Sequence, residues 1–125
     1  MTTNKTDEKV LYPELSYTLV GILFSTHNEI GPFAREKQYN DLIETKLKES
    51  KIPYKREFII SDSGNILDFL IDNKIILETK ATRIITKEHY RQIQNYLQAT
   101  GVKLGILVNF SNRYVKPIRV LRMDI

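Results

Sequence analysis

The chain has 125 residues, enough for one domain with a real core, and it carries a formal charge of +4 and no cysteine. The missing thiols exclude disulfide frameworks and thiolate zinc sites. Mild positive charge permits a nucleic-acid partner without requiring one.

The first nine residues, Met1 to Lys9, are polar and lack the apolar core of a signal peptide. They read as a flexible tail over residues 1–13, ahead of a single domain over 14–125. No stretch approaches the length of a membrane span, so no membrane contact is expected, and the lack of cysteine favours a cytoplasmic, intracellular setting. From Glu14 to about Ile30, Leu15, Leu19, Ile22 and Leu23 recur at helical spacing. Gly31-Pro32 breaks that helix. A second helix is expected from Phe33 to Ser50, burying Ala34, Tyr39, Leu42, Ile43 and Leu47.

Three strand-like runs follow, Tyr54 to Ser61, Ile66 to Ile71 and Lys74 to Ala81. Ser61-Asp62-Ser63-Gly64-Asn65 separates the first two as a turn, and Asp72-Asn73-Lys74 the next two. Ile75-Ile76-Leu77 does not alternate, which marks a central strand covered on both faces. Thr86 is an expected N-cap for a third helix ending near Thr100, with Gly101 as its stop. Leu104 to Phe110 is a buried strand. Ile118 to Met123 is a last strand near an edge, since Pro117 precedes it and arginines punctuate it. The order α-α-β-β-β-α-β-β predicts an α/β (α+β) fold with a mixed central sheet flanked by helices.

Within these strands stand Asp68 and, ten residues on, Glu78-Thr79-Lys80. A lone charge in such apolar surroundings is costly to bury, whereas two carboxylates and a lysine make a divalent-metal site with a balancing cation. His27 and His89 have no ligand spacing, so oxygen donors and hence Mg²⁺ or Mn²⁺ are expected. If Asp72-Asn73-Lys74 is the whole hairpin loop, Asp68 falls opposite Glu78; a one-residue slip would put them on opposite faces. Glu78 and Lys80 share a strand face. Such a grouping suits phosphodiester hydrolysis, in which a carboxylate-held metal acidifies water and a lysine steadies the transition state. The plain alternative for Glu78 and Lys80 is a surface ion pair. Gln92 and Tyr96 share a helix face and could orient water or phosphate, or simply form core and rim. Glu36, early in its helix, could complete the metal shell or merely favour the helix N-terminus. Arg35, Arg83, Lys87 and Arg91 are candidate phosphate contacts, although scattered basic residues are usually just solvated. His89 reads as a helix-surface residue.

The chain resembles the small GxxExxY proteins, a family placed in the PD-(D/E)XK nuclease-like superfamily. The resemblance runs from about Leu15 to Met123. It rests on Gly31-Pro32-Phe33-Ala34-Arg35-Glu36-Lys37-Gln38-Tyr39, Ile66-Leu67-Asp68-Phe69-Leu70, Ile76-Leu77-Glu78-Thr79-Lys80-Ala81, the segment His89 to Leu97, and the segment Thr100 to Phe110. It implies a restriction-endonuclease-like core, Asp68 and Glu78 as metal carboxylates, Lys80 as catalytic lysine, and Gln92 and Tyr96 as the Q-xxx-Y element of RecB-like branches. It also makes Glu36 the family's helix glutamate. Phe33 departs from the pattern, standing where the family has glycine.

The expected function is a Mg²⁺- or Mn²⁺-dependent nuclease, on DNA rather than RNA. Asp68 and Glu78 bind metal, with the Thr79 backbone carbonyl a further ligand. Lys80 activates water, and Gln92, Tyr96 and Glu36 form the surrounding shell. A homodimer, able to span a duplex, is expected by analogy. The competing reading is a non-catalytic nucleic-acid-binding or protein-interaction module on the same fold; a small metal-binding regulator ranks below it.

Overall fold

The computed structural model describes residues 11–61 and 63–124. Helix α1 spans Pro13–Ile30, α2 Glu36–Glu49 and α3 Lys87–Thr100. The strands are β1 (Tyr54–Ile59), β2 (Ile66–Ile71), β3 (Ile75–Lys80), β4 (Leu104–Asn109) and β5 (Ile118–Leu121). They form one sheet in the order β1-β2-β3-β4-β5. β3 and β4 run parallel, joined through α3; every other neighbouring pair is antiparallel. This is the expected element order and a mixed sheet, consistent with a restriction-endonuclease-like fold.

Helices α1 and α2 cover one face. Leu19, Leu23, Tyr39, Ile43 and Leu47 meet Phe69, Ile71, Ile75, Leu77, Ile106 and Val108 there. Helix α3 covers the other, placing Ile93, Tyr96 and Leu97 on Leu67, Leu70, Ile76 and Leu107. β3 and β4 are therefore buried on both sides, which is why their sequences do not alternate. Gly105 lets α3 approach: a Cβ there would lie 2.7 Å from Ile93 Cδ1. The first part of the expected tail, residues 1–10, lies outside the described residues; Leu11 and Tyr12 pack on the α1–α2 core, and Pro13 opens α1.

Helix α2 begins at Glu36, three residues later than expected. The Tyr39 hydroxyl donates to the Gly31 carbonyl and accepts the Ala34 N–H at 3.2 Å, holding 31–35 as a turn. The Gln38 side chain accepts the Arg35 N–H at 3.0 Å and closes the helix start. Local side-chain hydrogen bonds thus override the helical propensity of Ala34 and Arg35. At α3, Thr86 caps as expected, and His89 answers it: its Nδ1 accepts the Thr86 N–H at 3.0 Å. β5 lies at the sheet edge, with Arg119 donating to Ser16 of α1 and Arg122 to the Gly101 carbonyl at the end of α3. Among the described residues, no helix is long and apolar enough to cross a membrane.

Candidate metal and catalytic centre

The β2–β3 hairpin pairs Ile71 with Ile75, Leu70 with Ile76 and Phe69 with Leu77. The loop is thus Asp72-Asn73-Lys74, and Asp72 and Asn73 both adopt left-handed φ (51° and 55°), which those residue types tolerate. The next pair in register is Asp68 with Glu78. There the backbone ladder stops and side chains take it over. Glu78 Oε2 accepts the Asp68 N–H at 2.6 Å, and Asp68 Oδ2 accepts the Thr79 N–H at 2.8 Å. On β1, Glu57 stands opposite this break with φ +53°. Leu67 and Phe69, two apart, pack into different cores, so β2 is locally turned about Asp68.

Two faces of the sheet meet at this break. On the α3 face, Lys80 Nζ donates to Gln92 Oε1 at 3.0 Å, and Tyr96 is buried beside them. Glu78 is only 3% exposed. Burial first, and then the Asp68 charge, push its carboxyl up to about 8, against the opposing pull of the Asp68 N–H and Lys80. The Tyr96 hydroxyl is raised too, by burial and then by the Glu78 and Asp68 charges. Tyr96 is thus both a core residue and a wall of the site. A cleft of about 180 Å³ opens here between Asn65 and α3, lined by Glu88, Arg91, Gln92, Asn95 and Tyr96.

On the α2 face, Thr79 is fully buried. Its Oγ1 lies 2.7 Å from Asn40 Oδ1 and 3.1 Å from Asp68 Oδ2. A hydroxyl has one proton and cannot donate to both. With the Asn40 amide turned so that its NH₂ faces Thr79, the two contacts are compatible: Asn40 donates to Thr79, and Thr79 to Asp68. Glu36, one turn before Asn40, accepts the Ala81 N–H at 3.3 Å. It caps the exit of β3 beside Lys80. Among the described residues no three His, Asp or Glu side chains come together as a metal cluster.

The carboxylate pair fits a hard dication. Two carboxylates, one nearly out of water, share one lysine, so with both ionised, as a bound cation would favour, the site's negative charge exceeds its own positive charge. Mg²⁺ is commonly held by one or two carboxylates, with water and phosphate oxygens filling the other positions.

Of the residues singled out from sequence, Asp68, Glu78, Thr79, Lys80, Gln92 and Tyr96 come together, and Glu36 stands at their edge. Arg35, Arg83, Lys87 and Arg91 are exposed around them, Arg91 paired with Glu88. Sequence reasoning missed Asn40, whose signal was its i,i+4 spacing from Glu36. It also missed Asn109, which lies beside Lys80 in the parallel register and clamps Thr82 by accepting its N–H at 3.1 Å and donating to its carbonyl at 2.8 Å. An amide closing an otherwise apolar strand was the available clue.

A protein-family model described as the PD-(D/E)XK nuclease superfamily matches residues 13–121. No curated protein and no solved structure matches the chain.

Proposed function

The chain belongs to the PD-(D/E)XK nuclease superfamily, and on that premise we propose that it is a Mg²⁺- or Mn²⁺-dependent nuclease acting on DNA. The observation that carries the reading is the break in the β2–β3 ladder. It turns Asp68 and Glu78 toward each other and sets Lys80 two residues on, held by Gln92. A fold with no use for this site would continue its backbone pairing and bury apolar side chains here.

In this reading Asp68 and Glu78 hold the cation, with the Thr79 carbonyl as a third protein donor. When bound, the cation supplies an acidified water and offsets charge on the scissile phosphate. Asn40 and Thr79 fix the Asp68 carboxylate from the α2 side. Gln92, which lines the α3-side cleft, holds the Lys80 ammonium, whose N–H groups can orient the attacking water and stabilise charge on the non-bridging phosphate oxygens. Water attacks phosphorus and gives up a proton to solvent, the P–O bond to the leaving sugar oxygen breaks, and that oxygen takes up a proton from solvent. We also place the chain in the GxxExxY branch. The glutamate and tyrosine of that motif have structural work here, Glu36 at Ala81 and Tyr39 in the turn before α2. Phe33 replaces its glycine without loss of that turn.

The test is cleavage of labelled single- and double-stranded DNA and RNA with Mg²⁺ or Mn²⁺, against chelator and against Lys80→Ala. Metal-dependent cleavage lost in Lys80→Ala supports the assignment. Cleavage undiminished in that variant, or none with any substrate, refutes it.

A further inference from the structure

Three loops meet where the parallel strands β3 and β4 end, the position at which open sheets of this kind bind ligands. Glu36 ties the α1–α2 turn to Ala81 at 3.3 Å, and Asn109 ties the β3–α3 loop to the end of β4 through Thr82. His27 Nε2 lies 2.9 Å from the Asn112 carbonyl, joining the end of α1 to the β4–β5 loop. The loops, residues 31–35, 81–86 and 110–117, contain no aspartate or glutamate. They project Arg35, Arg83 and Arg113, all exposed, and among the described residues none of the three is paired with a carboxylate. The same loops leave Phe33 97%, Tyr114 71% and Ile84 63% exposed. Large apolar side chains standing in water on a cationic rim are the arrangement that burial alone would remove. The Arg113 guanidinium lies 5.3 Å from the Tyr114 ring centroid, stiffening one of these aromatics.

We propose that this rim binds single-stranded nucleic acid, with bases stacking on Phe33 and Tyr114 and the arginines taking phosphates. A duplex keeps its bases stacked on one another, and unstacking them costs free energy, whereas an unpaired strand offers a π-face at every nucleotide. The cationic, acid-free loops complement its backbone. A single strand needs only one copy of this small domain. Delivery of the strand to Asp68, Glu78 and Lys80 rests on the nuclease reading; the binding itself does not.

The test is fluorescence polarisation in chelator, with a labelled oligonucleotide as single strand and as duplex. Wild type is compared with Phe33→Ala, Tyr114→Ala and Phe33→Trp. Both aromatics are exposed, so the variants keep the fold, checked by circular dichroism. Wild type is expected to prefer the single strand at least tenfold. Each alanine weakens single-strand binding about five- to a hundredfold, leaves duplex binding within about twofold, and Phe33→Trp restores it. Duplex binding as tight as single-strand binding, or alanine variants at wild-type affinity, overturns the proposal. Cleavage with an inert rim refutes the rim and spares the nuclease reading. Rim-dependent binding without cleavage does the reverse.

Discussion

Replacing Glu78 by glutamine should stabilise the metal-free protein, and increasingly so as pH rises. Glu78 is 3% exposed and sits against Asp68, and its carboxyl is pushed from 4.5 up to about 8. An acid whose folded pKa is raised binds its proton more tightly when folded. Stability from this group is full below about 4.5 and is lost as pH climbs towards 8. Each pH unit crossed between those limits costs about 1.4 kcal/mol, so the ceiling on the loss is roughly 5 kcal/mol. Local relaxation and water entry should bring the observed figure to about 2–3 kcal/mol. The amide introduced by Glu78→Gln mimics the protonated acid: its oxygen can still accept the Asp68 N–H, and its NH₂ can donate to the Asp68 carboxylate.

The assay is urea denaturation of both proteins in chelator from pH 4.5 to 8.5. The difference in unfolding free energy should be near zero at the acid end and grow in favour of Glu78→Gln towards pH 8. Mn²⁺ at pH 8 should raise wild type by binding the folded state and leave Glu78→Gln nearly unmoved. A constant difference across the pH range, or a variant less stable than wild type at pH 8, would refute the argument that Glu78 is a buried, uncompensated acid.

Lys80→Met should cut metal-dependent cleavage at least about a hundredfold, since it removes a charge aimed at the transition state; the Mn²⁺-induced rise in Tm should persist, because the carboxylates are intact. Thr79→Val keeps the shape but deletes the hydroxyl between Asn40 and Asp68. It should cost about 1–3 kcal/mol in chemical denaturation and weaken Mn²⁺ binding measured by calorimetry. Gly105→Ala should cost about 1–3 kcal/mol, because its Cβ would meet Ile93 Cδ1 at 2.7 Å. Adding Ile93→Val removes that atom, so the double variant should lose less than the two singles combined.

The core of this site was legible in the sequence because local chemistry fixes it. Asp72 and Asn73 accept left-handed φ, so the hairpin loop and its register follow from three adjacent residues. That register sets Asp68 against Glu78, and strand alternation then carries Lys80 to the α3 side with Gln92. What could not be read depends on contacts between distant segments. Asn40 reaches Thr79 across 39 positions, and Asn109 reaches Thr82 across 27. The delayed start of α2 is a local case: one hydroxyl, that of Tyr39, reaches back eight residues to the Gly31 carbonyl, a bond that helical periodicity does not signal. The sequence also hid the break in β2, since alternation puts Leu67 and Phe69 on one face and the structure puts them in different cores.

That break links the fold to the chemistry. A regular ladder would commit the Asp68 and Thr79 N–H groups to opposing carbonyls and leave each carboxylate on one face of the sheet or the other. Here the carboxylates accept those N–H groups, so a polar opening inside a buried sheet leaves neither donor orphaned. Only one oxygen of each carboxylate is committed to these bonds, Oδ2 of Asp68 and Oε2 of Glu78. The other pair, Oδ1 and Oε1, takes no part in these two bonds and is the pair the proposed cation would use. The two faces do different work around it: α2 immobilises Asp68 through Thr79 and Asn40, and α3 immobilises Lys80 through Gln92. Asp68 and Lys80 are held by separate layers of the protein, so on the nuclease reading damage to the α3 layer should cut the catalytic rate while sparing metal affinity, and damage to the α2 layer should weaken metal affinity.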